Sequence, residues 1–304
     1  MPLDSKALRR MVIQLGTEYA NLCDHVIAPS GSIARLLRER GVESPIKEIP
    51  TGIDVEFFAN GNGGQFREKR GIARDARVIG HVGRLAKEKN LLFLAEAITL
   101  NLNDDPDAVF LIVGAGADSA DMLKILRGNA DERQIHAVGE LSGTALADAY
   151  AAMDCFVFAS QSETQGLVLA EAMAAGKPVV ALDGPGVREI VADGGNGLML
   201  PGDAAVSVFS SAVGRILNDS ELADLCSANA RETAGNYSTD RCVGQVIECY
   251  ETMIGNYEQV GSKQLSQWDR ALLDIEIEWD LLMEKISAAS AAVIETQATE
   301  ARID

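Results

Sequence analysis

The chain has 304 residues, 47% of them hydrophobic, and a formal net charge of −18, with a mean hydropathy near zero. By length this is a globular chain of about two domains with ample core. Its charge excludes a nucleic-acid or anionic-lipid binder acting through general surface potential, and no run approaches the ~18 apolar residues of a membrane span.

The first residues carry Arg9 and Arg10 but no uninterrupted apolar stretch, so no secretory leader is expected. Five scattered cysteines (Cys23, Cys155, Cys226, Cys242 and Cys249) are odd in number and read as reduced thiols of a cytoplasmic protein. Cys242 and Cys249 have no histidine near them, so no metal site is expected.

Apolar strand patterns follow in order at residues 25–29, 46–50, 77–83, 108–114, 133–139, 154–159, 177–182 and 196–201. Amphipathic helical patterns separate most of them, over 30–40, 90–100, 118–127, 142–153 and 166–176. Short apolar strands alternating with helices predict an α/β fold with parallel, doubly wound, Rossmann-like sheets. Beyond Asp203 the pattern is purely helical.

Pro50-Thr51-Gly52-Ile53-Asp54 has turn chemistry, and the stretch Asn60-Gly61-Asn62-Gly63-Gly64 reads as a connector. A domain boundary is expected here. Residues 1–50 are then too few for an independent doubly wound core, residues 51–254 form the main domain, and residues 255–304 form a helical extension. That extension holds ten acids against four bases. Leu265, Trp268, Leu272, Ile275, Trp279, Leu282, Ile286, Ala289 and Val293 alternate steps of three and four along it. Such a seam suits either a helix docked on its own domain or a homo-oligomer contact.

Residues 162–180, SETQGLVLAEAMAAGKPVV, are the most informative stretch. A strand precedes and follows them, and between lie a polar turn and an Ala-rich helix opening at Gly166. Ligands of open α/β sheets bind at the carboxyl ends of strands, where this turn falls. The free N–H groups of a helix start suit phosphate oxygens. Glu163 in the turn and Glu171 within the first two helical turns can face one crevice and accept hydrogen bonds from hydroxyls. Two hydroxyl-binding ends around an anion site suit a nucleotide-sugar. The plain alternative is that both glutamates complement the helix dipole.

A second turn supports the first reading. The strand at 77–83 ends in Gly83-Arg84, followed by Lys89 at a helix start. Gly83 permits close backbone approach, Arg84 offers a donor fork, and a lysine against the helix dipole calls for an anion. Gly114 and Gly116 make a tight turn near the crevice but not a full dinucleotide fingerprint, since Ser119 holds the third position. Asp105-Pro106-Asp107 reads as a turn on the far edge of the sheet. His25, His81 and His136 read as structural.

Together, PTGID, GRLAKEKN, LIVGAG, the 162–180 block and GVREIVADGGNGLMLPGD resemble the retaining family-4 glycosyltransferases of GT-B fold. The motifs come in that family's order over residues 20–254. The resemblance implies that Gly83, Arg84 and Lys89 bind the donor diphosphate with the N–H groups of Gly166, Leu167 and Val168. It implies that Glu163 is catalytic and, with Gln165 and Gly166, holds the transferred sugar. Glu171 would hold the ribose, and residues 136–139, through His136, Val138 and Gly139, the base. It implies no metal and no cofactor, and a UDP-sugar in preference to a GDP-sugar.

Thr164-Gln165-Gly166 and PTGID look most like bacterial diacylglycerol glucosyltransferases, which implies a lipid or glycan acceptor and, for a full-length form, a peripheral place on the inner membrane face. The departure is the first domain. Residues 1–50 resemble only its last portion, and its glycine-rich acceptor loop has no counterpart, so the chain reads as N-terminally truncated. Two other functions therefore stay open: a non-catalytic nucleotide-sugar-binding or assembly subunit, and a GT-B-fold sugar epimerase.

Overall fold

The computed structural model describes residues 6–260. The heptad seam at 265–293 lies outside the described residues. The chain divides into two compact units, one running Pro50–Gly244 and the other formed by the residues up to Ile49 and from Gln245 on.

The flanking unit begins with α1 (Lys6–Asn21), β1 (Val26–Ala28), α2 (Gly31–Glu39) and β2 (Ile46–Glu48). β1 and β2 pair in parallel, Val26 opposite Ile46. Ser30 caps α2 by accepting from the Ile33 N–H, the usual use of a serine at a helix entry.

The Pro50–Gly244 unit contains α3 (Val55–Ala59), α4 (Gly63–Arg70), β3 (Arg77–Val82), α5 (Leu91–Asp104), β4 (Ala108–Val113), α6 (Ser119–Asn129), β5 (Ile135–Ala137), α7 (Gly143–Ala151), β6 (Cys155–Phe158), α8 (Leu167–Ala174), β7 (Val179–Leu182), β8 (Gly197–Leu200), α9 (Val206–Asn218) and α10 (Ser220–Gly235). The chain continues as α11 (Thr239–Val260). Six strands form one parallel sheet in the order β5-β4-β3-β6-β7-β8. Every residue of β4, β6 and β7 is buried, as expected where helices cover both faces of a parallel sheet. On one face the core contains Tyr150, Phe156, Phe158, Leu169 and Met173; on the other it contains Ile79, Leu94, Ile98, Phe110 and Phe209.

Each predicted strand forms, shorter by one to four residues. At β5 the ladder stops at Ala137, yet Val138 still donates to the Ile112 carbonyl (3.0 Å) and Gly139 accepts from the Gly114 N–H (2.8 Å). PTGID is a clamp as well as a turn. Ile53 exchanges backbone bonds with Tyr237 and Thr239 (2.8 and 3.0 Å). A Cβ on Gly52 would fall 2.4 Å from the Thr239 Cα, which accounts for the glycine. Asp54 then caps α3.

The stretch at 60–64 is not a connector. Asn62 caps α4 by accepting from the Gln65 N–H (3.0 Å). Gly61 and Gly63 lie against the backbone of α7, where a Cβ would meet the Ala147 and Ala151 carbonyl oxygens at 2.2 and 2.4 Å. Composition alone cannot separate a flexible glycine from one that lets two helices touch.

The sheet order places the topological switch between β3 and β6. From β3 the chain winds outward through β4 and β5, then returns to β6 on the other side. In such sheets the crevice opens at the carboxyl ends of the two strands flanking the switch. Asp105 lies at the opposite edge, before β4, where it pairs with Arg77 and caps its own turn through the Asp107 N–H (3.0 Å).

The strand ends on this side are stitched by glycines. Gly83 donates to the Val113 carbonyl (3.0 Å), and Gly114 adopts φ 137° with its Cα facing the Gly83 carbonyl. A Cβ there would sit 1.9 Å from that oxygen. Gly114→Ala is expected to lower unfolding stability by about 3 kcal/mol, combining a positive φ with overpacking; urea denaturation of the two proteins measures it.

Candidate functional site

Two turns meet at the switch. The first, after β3, runs through Gly83 and Arg84 into a 3₁₀ turn, Lys87–Lys89, and enters α5 at Asn90. Asn90 has φ 54°, the one non-glycine residue with positive φ among the described residues. Asparagine tolerates that conformation better than other side chains. The second turn, after β6, carries residues 160–166 into α8. The Glu88 carbonyl accepts from both the Ser160 hydroxyl (3.1 Å) and the Gln161 N–H (3.0 Å). Beside these bonds Lys89 forms an ion pair with Glu163, both side chains only about one-seventh exposed. Lys89 Nζ also lies 5.8 Å from the centre of the Phe158 ring, a cation–π distance.

The structure therefore brings Lys89 and Glu163 together. Arg84 does not join this pair: it is mostly exposed and bonds Glu88 one turn on, at 2.7 Å. An exposed pair of that kind contributes at most ~1 kcal/mol, so the guanidinium is cheap to redirect.

Gly166 opens α8 with φ 70° and no side-chain cap. A Cβ at Gly166 would meet Leu169 at 3.0 Å and the Gly186 carbonyl at 3.3 Å. The loop after β7 thus packs directly beneath this turn. Leu167 and Val168 occupy the first two helical positions, whose N–H groups have no acceptor within the helix. Gln165 is buried at the base of the turn. Glu171, on the second turn of α8, accepts a hydrogen bond from the Tyr150 hydroxyl (2.7 Å). Burial raises the Glu171 carboxyl above its ordinary range, and the Tyr150 bond opposes that rise.

Tyr150 was not singled out from the sequence. It lies in the Ala-rich α7 and reads as core, which it also is. The available signal is chemical: a buried tyrosine hydroxyl needs a partner, and Glu171 is that partner.

A cleft of about 560 Å³ opens over the ends of β3 and β4, lined by Gly83, Arg84, Gly114, Glu140, Leu141 and Leu146 among others. Of the residues expected around a base, Gly139 bonds Gly114 at the end of this cleft. His136 is half-buried within β5, where burial lowers its pKa, and Val138 packs against the core.

His81, on β3, is also closer to the site than the sequence suggested. It is fully buried between Val157, Phe156 and Phe158, with Nδ1 3.1 Å from the Val157 carbonyl. That acceptor assigns the proton to Nδ1. Nε2 has no hydrogen-bond partner and lies 3.8 Å from where a Gly83 Cβ would stand. Burial first, and then the charge of Lys89, lower its pKa to about 4.

Among the described residues no three His, Cys, Asp or Glu side chains gather as a metal site, and no helix is long and apolar enough to cross a membrane.

Residues 64–233 match the family described as "Glycosyl transferases group 1", and residues 2–57 match "Glycosyltransferase Family 4". The chain belongs to the group 1 glycosyltransferases. Its similarity to the D-inositol 3-phosphate glycosyltransferase of Geodermatophilus obscurus is 32% identity over 240 residues, 75% of this chain and 52% of the relative. To the alpha-monoglucosyldiacylglycerol synthase of Acholeplasma laidlawii it is 27% identical over 197 residues, 63% of this chain and 50% of the relative. The chain thus spans about half the length of these curated relatives. In fold it is similar to Anabaena Alr3699/HepE, solved in complex with UDP-glucose: TM-score 0.71 at 22% identity, covering 80% of this chain and 68% of that one. The GT-B-type, Rossmann-like architecture of this glycosyltransferase family is therefore present.

The neutral, buried His81 links stability to pH. An unfolded chain takes up a proton there near pH 6.5, whereas the folded chain resists until about pH 4. The stability is complete above pH 6.5 and lost progressively as pH falls between these values, by about 3 kcal/mol in all. His81→Phe keeps the ring stacking and lacks the titration. The stability gap between wild type and this variant, measured by urea denaturation, is expected to shift by that amount between pH 7 and pH 4, in the variant's favour.

Proposed function

We propose that the Pro50–Gly244 unit binds a nucleotide-sugar and serves as the donor side of a retaining glycosyltransferase. The observation that carries this reading is the largely buried Lys89–Glu163 pair at the switch point, next to a helix start without a side-chain cap. A cation held at a strand end by a single carboxylate is positioned to take a second anionic partner. The donor diphosphate would lie against Lys89, the redirected Arg84 and the N–H groups of Gly166, Leu167 and Val168, over the bare backbone of Gly83.

Glu163 would then hold hydroxyls of the transferred sugar, with Gln165 and Gly166 shaping the floor. Held at the reacting ring, this carboxylate is the group of the site able to stabilise positive charge as the bond to the leaving diphosphate breaks. Lys89 and the helix start would stabilise the negative charge that develops on that diphosphate. Glu171 would receive the ribose hydroxyls, oriented by Tyr150. The base would extend toward the end of β5, near His136, Val138 and Gly139.

For the acceptor we favour a lipid-linked alcohol. The supports are the Thr164-Gln165-Gly166 and PTGID variants and the name of the Acholeplasma relative. Such a reaction would take place at a membrane surface. The apolar seam at 265–293, in an otherwise acidic extension, supports a homo-oligomer contact.

Titration calorimetry with UDP-glucose and GDP-mannose tests the donor reading. Saturable binding of at least one is expected, with Arg84→Ala and Glu171→Ala each weakening it about tenfold or more, the loss of one charge-assisted contact, without loss of the folded near-ultraviolet spectrum. Wild-type affinity in either variant would remove that residue from the site; no binding of any nucleotide-sugar would sink the reading. Transfer to diacylglycerol-containing vesicles then separates an enzyme from a binding subunit, and the appearance of an isomerised sugar from donor alone would mark an epimerase.

A further inference from the structure

The cleft beside the Gly83 turn has a feature that the donor reading leaves unexplained. Its floor is bare backbone and apolar side chains: Gly83, Gly114, Val113, Leu141 and Leu146. Glu140 also lines the cleft, an exposed residue whose carboxylate makes no ion pair or hydrogen bond among the described residues. A nucleoside diphosphate entering this cleft is anionic, so an unpaired carboxylate there repels it. Arg84, on the same cleft, offsets that repulsion at the phosphates; at Glu140 itself it is offset where the ligand brings hydrogen-bond donors to the carboxylate.

The position of the cleft indicates which part of the ligand it meets. Leu146 lies one helical turn before Tyr150 on α7, and Tyr150 holds Glu171. With the ribose at Glu171 and the diphosphate at Lys89 and Gly83, the part of the cleft over Gly114, beside the end of β5, is left for the heterocycle. Gly114 keeps this end of the cleft low by packing its Cα onto the Gly83 carbonyl, where a side chain would not fit.

The four common bases differ in what they show a carboxylate. Guanine presents two adjacent donors, N1–H and the N2 amino group, which match both carboxylate oxygens at once. Uracil presents one N–H between two carbonyl oxygens, which face the carboxylate with like partial charge. Adenine and cytosine each present one amino donor beside a ring nitrogen lone pair. We propose, resting on the donor-site reading above, that Glu140 is a specificity-determining residue that selects guanine, making the donor class a GDP-sugar. The resemblance drawn from sequence favours uridine; the chemistry of the cleft lining points the other way.

Glu140→Gln offers a sharp test. A carboxamide presents one acceptor and one donor, which complements the N3–H and O4 of uracil and no longer matches both guanine donors. Titration calorimetry of the full chain with GDP, UDP, ADP and CDP is the experiment. Wild type is expected to bind GDP about ten- to a hundredfold tighter than UDP, the effect of a bidentate charge-assisted pair. Glu140→Gln is expected to lose most of that margin, with UDP binding unchanged or tighter. UDP binding as tightly as GDP in wild type would overturn the assignment, as would a GDP-to-UDP ratio unmoved by the substitution. Equal weakening of all four nucleotides would place Glu140 at the shared ribose and overturn it too. If wild type binds none of the four, the donor site itself fails, and this assignment with it.

Discussion

The site depends on one clasp. Lys89 and Glu163 come from turns that are 74 residues apart in sequence, and their ion pair closes beside two hydrogen bonds to the Glu88 carbonyl. A buried ion pair is costly to assemble, because both charges leave water, and costly to break by removing one partner. Its effect here is geometric. It fixes the turn after β3 against the turn after β6, so the glycine-lined strand ends and the start of α8 share one crevice. Gly83 and Asn90 in the first turn and Gly166 in the second take positive φ, the backbone adjustments with which the two turns meet.

The same clasp explains why a ligand is expected in that crevice. Without a further anion, Lys89 is neutralised by one carboxylate whose geometry could serve hydroxyl groups. Phe158 beneath the ammonium and the buried, neutral His81 behind it form a dry backing. In such surroundings charge–charge contacts are less screened than at a surface, so a modest number of groups would suffice to hold the proposed diphosphate.

The alternation of buried strands and helices was legible because a covered parallel sheet imposes a simple apolar pattern. The pairing of the 83–89 and 160–166 turns was legible as well, since both follow strands and carry ligand-type residues. Three things were not. Asn60–Gly64 looked like a linker because glycine has one composition and two uses, flexibility and close packing. Tyr150 was hidden by its apolar neighbours, since an aromatic residue in an Ala-rich helix reads as core whatever its hydroxyl does. Arg84 carries, besides the phosphate role expected of it, a pair with Glu88 one turn on that the pattern did not show. Each miss concerns a contact made across the fold or along the helical turn, which local pattern does not encode.

Arg84 and Lys89 enter any encounter already paired, Arg84 with Glu88 and Lys89 with Glu163, in a chain whose formal charge is −18. The proposed anionic donor would therefore approach against the long-range field instead of being drawn along it. Added salt shortens the reach of that repulsion, to about 8 Å at physiological ionic strength, while acting far less on the buried pair. Capture of the donor should thus speed up as ionic strength rises, the reverse of the steering seen where a basic funnel gathers phosphates. The protein would meet its ligand slowly and hold it through close contacts, so its selectivity would reside in residence time more than in arrival.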